Sequence, residues 1–151
     1  MQKLREAFGT FTTGVTVVTT LDAAHNPIGF TANSFASVSL DPAILLVCMS
    51  QKSRSFKAMT SGAGFAINIL SADQKNICDV FSQANTDRFA NLDWRIGPNG
   101  YPLIASCSAW FECSHNKIID AGDHTILLGN IVDFGQSDAA PLILSQGKFN
   151  A

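Results

Sequence analysis

Short runs rich in Val, Ile, Leu and Thr follow one another along this chain, and the gaps between them leave room for only brief helices. Val15 to Leu21 is the first, with the Val and Thr content of a pleated, half-buried surface. Asp22 to Pro27 supplies turn residues, and Ile28 to Thr31 begins a second strand. Phe35 to Ser39 alternates apolar and small polar residues, as a half-buried strand does. Asp41-Pro42 breaks it, and Ala43 to Met49 has the character of a fully buried strand. Gly64 to Leu70 is the next strand. From Ala105 to Ser114 the pattern puts Cys107, Ala109, Phe111 and Cys113 on one side and Ser106, Ser108, Trp110, Glu112 and Ser114 on the other. Asn116 to Asp123 reads as a turn, His124 opens a long strand to Phe134, and Pro141 to Phe149 reads as the last strand. Regular strand–helix alternation is absent, which excludes a doubly wound parallel sheet. The expected fold is mainly β: a closed or nearly closed antiparallel barrel with a few short helices.

Three helices fit between the strands. Gln2 to Thr10 carries Leu4, Ala7, Phe8 and Phe11 at helical spacing, with Gly14 ending the segment. Ser53 is positioned to cap Arg54 to Thr60. Ser71-Ala72-Asp73-Gln74 has the form of a capping box for a helix to about Ser82. Gln83 to Gly100 reads as one long irregular, polar loop, a length that is usually functional or poorly ordered.

At 151 residues the expectation is a single domain, 1–151. A net charge of −2 without a Lys/Arg cluster argues against nucleic acid as a partner. No apolar run approaches the roughly 20 residues of a membrane helix, and Met1 to Glu6 lacks the apolar core of a signal peptide. Cys48, Cys78, Cys107 and Cys113 form no CxxC pair, so they read as reduced core thiols of a cytoplasmic protein. With only 15% charged residues, apolar surface is left over, and an oligomer interface is one place for it.

Four stretches can carry chemistry. Gly29 to Pro42 is dense in small and hydroxylated residues between two apolar runs. It suits a wall that hydrogen-bonds a flat polar ligand, or a tight turn with Asn33-Ser34 at its tip. Ser50 to Ser55 sets a helix start beside Lys52 and Arg54, which is either a phosphate site or an ordinary N-cap. Gly122-Asp123-His124 puts a histidine at a strand start, for a pocket rim or for a backbone partner. Arg88-Phe89 offers a cation and a ring, or a surface Arg and a loop anchor. His25 and His115 sit in turn-like, polar settings and take no role. No nucleophile elbow, P-loop, zinc signature or G-x-G-x-x-G fingerprint is present.

In order, Phe11-Thr12-Thr13-Gly14-Val15-Thr16-Val17-Val18-Thr19-Thr20, Gly29 to Pro42, Gly122-Asp123-His124 with Ile126 to Gly129, and Pro141-Leu142 with Gly147-Lys148-Phe149 resemble the flavin reductase-like family. The resemblance covers nearly the whole chain. It implies an FMN-binding split barrel, usually a homodimer, that reduces FMN or FAD with NADH or NADPH. Such proteins often supply reduced flavin to a partner monooxygenase. By position, Thr31, Ala32, Asn33 and Ser34 would meet the flavin ring. Ser50, Gln51, Lys52 and Ser53 would hold ribityl and phosphate, and Phe56 would close that end. Arg88 and Phe89 would sit beside flavin or nucleotide, and His124 would line the nicotinamide side. The chain departs from many members at Leu144, Ser145 and Gln146, where aromatic or basic residues stand. Three other readings remain open: a flavin-binding electron-transfer protein, a split-barrel oxidase without nicotinamide, and a β-barrel interaction module that binds no cofactor.

Overall fold

The computed structural model describes residues 1–84 and 87–150. Helix α1 is Gln2–Gly9, followed by strands β1 Thr13–Gly14, β2 Thr16–Leu21, β3 Pro27–Ala32, β4 Phe35–Leu40 and β5 Ala43–Ser50. Helix α2 is Phe56–Ser61 and β6 is Gly64–Ile69. A 3-10 turn, Ala72–Gln74, leads into α3, Lys75–Phe81. Then come β7 Trp94–Ile96, β8 Pro102–Ile104, β9 Ala109–Ala121, β10 His124–Gln136, β11 Ile143–Ser145 and β12 Lys148–Phe149.

Seven strands form one antiparallel sheet in the order β3-β2-β6-β9-β10-β5-β4. β3 and β4 are consecutive in the chain yet form opposite edges of that sheet. Only Asn33 and Ser34 join them, a link that reaches about 11 Å at most. The sheet therefore curls until its edges nearly meet. Ser34 extends the β4–β5 ladder into this corner: the Cys48 amide donates to its carbonyl oxygen at 3.1 Å, and its hydroxyl donates to the Cys48 carbonyl at 3.0 Å. Asn33-Ser34 is thus a barrel corner, not the tip of a hairpin.

The barrel interior holds Val18, Phe30, Leu45, Val47, Met49, Phe65, Ile67 and Leu127. A second cluster covers the outside of β2, built from Val15, Val17, Leu70, Phe81, Phe89, Ile104 and Leu142. β2 is buried on both faces, which accounts for its unbroken Val/Thr run.

Several expectations need correction. α1 ends at Gly9, and Leu4, Phe8 and Phe11 face outward, with Phe8 71% exposed. Gly14 belongs to β1 and pairs with Ile143. β4 is an edge strand with little burial, so its alternation does not mark a core face. Asn116 to Ala121 is not a turn but the outer arm of β9, paired with β10 as far as Ala121 and His124. Residues 94–104 hold the β7–β8 hairpin, whose first strand falls within the segment expected to be irregular, of which positions 85 and 86 lie outside the described residues. The last segment is a hairpin turning at Gln146 and Gly147, both with positive φ. His115 sits within β9, with Nε2 2.7 Å from the Met59 carbonyl oxygen.

The cysteines are free, and burial pushes the Cys107 and Cys113 thiols up to about 12. Glu112 is fully buried. Its carboxylate accepts from the Asn99 amide at 3.0 Å, from Asn99 Nδ2 at 3.1 Å and from the Tyr101 amide at 3.3 Å. It therefore holds the turn between β7 and β8. Glu112→Ala leaves those donors without their acceptor and is expected to cost about 2–4 kcal/mol. Urea unfolding measures this; a loss below about 1 kcal/mol would mean that water replaces the carboxylate.

Candidate functional site

A cavity of about 520 Å³ opens at the seam of the barrel, in the size range of small-molecule sites. The β3–β4 corner contributes Phe30, Thr31, Ala32, Asn33 and Ser34. The end of β5 gives Cys48, Met49 and Ser50, and the following turn gives Lys52, Ser53 and Arg54. Phe81, Ser82, Ala84 and Arg88 close the α3 side, and His124 stands at the start of β10. Pairing puts His124 opposite Ser50, so the ends of β5 and β10 share one rim.

Nine of the residues expected at a site therefore line one cavity: Thr31, Ala32, Asn33, Ser34, Ser50, Lys52, Ser53, Arg88 and His124. Three do not. Gln51 turns to the hairpin, its Nε2 donating to the His124 carbonyl at 3.0 Å. Phe56 packs against the barrel core. Phe89 lies in the second core, edge-on to Phe81 and Trp94 at 5.1 and 5.6 Å between centroids. Phe81 and Ser82 were missed because they arrive from the end of α3, distant in sequence from the other walls. The helix cap is Ser55 rather than Ser53, and α2 begins at Phe56. Ser53 instead accepts from the Ser55 amide at 3.2 Å, and the Ser50 hydroxyl accepts from the Lys52 amide at 3.2 Å, so this turn is held by its own hydroxyls.

The charges on the wall are one-sided. Lys52, Arg54 and Arg88 line it, no carboxylate does, and none of the three has a carboxylate partner among the described residues. Burial lowers the pKa of Arg88, and the charge of Arg54 lowers it further. Arg88 also ties the segment after α3 to the barrel: Nη1 donates to the Gly29 carbonyl at 2.8 Å and Nη2 to the Gln83 carbonyl at 2.9 Å. Gly29 itself lets β3 lie close to β2 and Phe81, since a Cβ there would lie 2.9 Å from the Val18 carbonyl oxygen and 3.1 Å from the Phe81 ring. A wall of cations, hydroxyls and small residues beside aromatic carbon can hold an anionic, flat, partly polar ligand.

The fold and this rim cavity define an antiparallel split barrel with a cation-lined seam. Residues 8–151 match the family model described as flavin reductase like domain, and the chain belongs to that family. It is 49% identical over 98% of its length to the stachydrine N-demethylase reductase subunit of Rhizobium meliloti, and 46% identical over 99% to the flavin-dependent trigonelline monooxygenase reductase component of Acinetobacter baylyi. It spans 64% and 48% of those relatives' own lengths. It also superposes with a TM-score of 0.94 on the NADH:FAD oxidoreductase of Streptomyces globisporus C-1027 solved in complex with NAD and FAD fragments. That match has 37% identity and covers 99% of this chain and 91% of the other.

Arg88→Ala removes the tie between Gly29 and Gln83. The expected cost is about 1–2 kcal/mol, the scale of charged donors on neutral carbonyls in a partly exposed setting, measured by urea unfolding. Unchanged stability would assign Arg88 to ligand contact alone.

Proposed function

We propose that this chain is an NAD(P)H-dependent flavin reductase, one domain over residues 1–151, that takes hydride from NADH or NADPH onto FMN or FAD. The observation that carries the reading is the convergence of the β3–β4 corner, the Ser50–Ser53 turn and His124 on one cation-lined cavity. The donor set fits the cofactor: three cations without a carboxylate suit a phosphate, and Thr31 to Ser34 offer small polar groups to a flat ring. Family membership and relatives named as reductase components support a partner monooxygenase that receives the reduced flavin.

A bound flavin supplies the hydride-accepting ring. The protein's part is positioning. Lys52 and Arg54 neutralise the phosphate, Ser50 and Ser53 offer hydroxyls beside it, and Thr31, Ala32, Asn33 and Ser34 orient the ring edge. Gln51 fixes the rim from behind, and Phe56 and Phe89 act through packing. His124 orients the nucleotide, a gain of proximity rather than proton transfer.

A homodimer is part of the proposal. Leu40, Val38, Val132 and Phe134 are 95%, 48%, 52% and 66% exposed. They lie where β10 runs past its pairing with β5 and where β4 turns back. An apolar surface of this kind fits a second copy. Four free thiols fit a reducing compartment, the cytoplasm. No helix among the described residues is long and apolar enough to cross a membrane.

Anaerobic mixing with NADH and NADPH in turn, with FMN, FAD or riboflavin, tests the reading; no bleaching with any pair would reject it. Lys52→Ala with Ser53→Ala should weaken FMN binding by one to two decades, about 1.5–3 kcal/mol, and riboflavin binding far less. Equal losses would remove the phosphate from this turn. His124→Ala should slow flavin reduction roughly 10- to 100-fold at saturating flavin while leaving flavin affinity nearly intact. Stopped-flow bleaching across a range of nucleotide reads this, and an unchanged nucleotide dependence would take His124 out of the site.

A further inference from the structure

The β9–β10 hairpin turns on Gly122 and Asp123, with Gly122 at φ +66°. The backbone behind that turn is fastened twice to the end of β5. The Gln51 amide donates to the Asp123 carbonyl at 3.1 Å, and Gln51 Nε2 donates to the His124 carbonyl at 3.0 Å. The two side chains that follow are therefore held in a set relation to the cavity rim. Asp123 Oδ1 lies 2.7 Å from His124 Nδ1. Asp123 does not line the cavity, whereas His124 does.

The carboxylate stays ionised. Its hydrogen bond to His124 holds it below the usual carboxylate range, and the charge of Lys52 acts in the same direction. An ionised carboxylate only accepts, so Nδ1 must carry the hydrogen that fills the 2.7 Å contact. In the neutral ring that leaves Nε2 with a free lone pair. Asp120, the acid on the other arm of the hairpin, already accepts from the Thr125 hydroxyl at 3.0 Å. With its side chain 92% exposed, Asp123 adds little to stability through an ion pair.

We propose that Asp123 is a positioning residue: it fixes His124 as the Nδ1–H tautomer, so that Nε2 meets the nucleotide as a hydrogen-bond acceptor for the carboxamide NH₂ of the nicotinamide ring. The inference rests on the reductase reading for its ligand and on the hairpin geometry for its tautomer. An acceptor at this point selects the amide nitrogen over the amide oxygen. It thereby fixes which way the carboxamide points and how the ring is registered over the rim. Without Asp123, the neutral imidazole returns to the Nε2–H form that free histidine favours, and a donor would face the donor NH₂.

The test uses the full chain labelled with ¹⁵N-histidine, above the histidine titration, with His124→Asn identifying the resonance. Long-range ¹H–¹⁵N spectra should show the Nδ1–H form in the wild type and mainly the Nε2–H form in Asp123→Ala. At saturating flavin, Asp123→Ala should raise the nucleotide KM about tenfold, the scale of one lost hydrogen bond, with flavin Kd within twofold. Asp123→Asn, which keeps an acceptor oxygen, should recover part of both signals. An Nε2–H wild type, or one tautomer in both proteins, overturns the proposal. So does an unchanged KM, or a flavin Kd that weakens in step. A correct tautomer shift in a wild type that oxidises no nicotinamide nucleotide would instead reject the reductase reading and the carboxamide as ligand.

Discussion

Two residues, Asn33 and Ser34, must connect the opposite edges of a seven-stranded sheet. An open sheet of that width would hold its edges more than twice as far apart as the link can reach, given strand spacing near 4.8 Å. Closure into a barrel is therefore imposed by chain connectivity, and core packing fills what closure creates. The same link explains where the cavity is. At this corner the chain passes from one sheet edge to the other: Ser34 is tied to Cys48 of β5, and Thr31, Asn33 and Ser34 line the opening. The gap between the sheet's edges and its polar concavity are one place.

The charged groups are treated in two opposite ways. Glu112 is fully buried and accepts from three N–H groups of a single turn. Desolvation is offset by directed hydrogen bonds, and the group acts as a fastener. Lys52, Arg54 and Arg88 share a wall with no carboxylate, and the charge of Arg54 lowers the pKa of Arg88. Arg88 still donates to two carbonyls, whereas Arg54 makes no side-chain hydrogen bond or salt bridge among the described residues. Clustered like charge without internal compensation opposes folding slightly. An anion at the wall relieves it.

How much of this was legible depends on the range of the interaction. Val15 to Leu21, Ala43 to Met49 and Gly64 to Leu70 were readable because β-branched composition and burial are local signals. The turn after β2 was readable because Asp22 is an Asx-turn residue: its Oδ1 accepts from the Ala24 and Asn26 amides, each at 2.9 Å. Asn116 to Ala121 failed because the outer arm of β9 has no core face, so its polar residues mimic a turn. The cavity wall was legible where its parts lie close in sequence, as in Thr31 to Ser34 and in Ser50, Lys52 and Ser53. It failed where direction decides. Phe89 has the composition of a pocket ring, but contact with Phe81 and Trp94 turns it into the core. Gln51, between two cavity residues, points to the β10 rim.

On the proposed reductase reading, this rim would need few acid–base groups. Hydride transfer moves two electrons and a proton as one unit, so the demand on the protein is distance and angle rather than a matched pKa. Distance and angle come from stiffness, and stiffness here comes from pairing. His124 sits at the first residue of β10, flanked by Ala121 of β9 and Ser50 of β5. A side chain on a strand end bounded on both sides is held far more tightly than one on a free loop. Gln51 extends that restraint one residue into the turn, to Asp123. The ladder and Gln51 therefore hold the backbone of Asp123 and His124, and the Asp123 carboxylate meets the imidazole. Of Gln51, Asp123 and His124, only His124 lines the cavity.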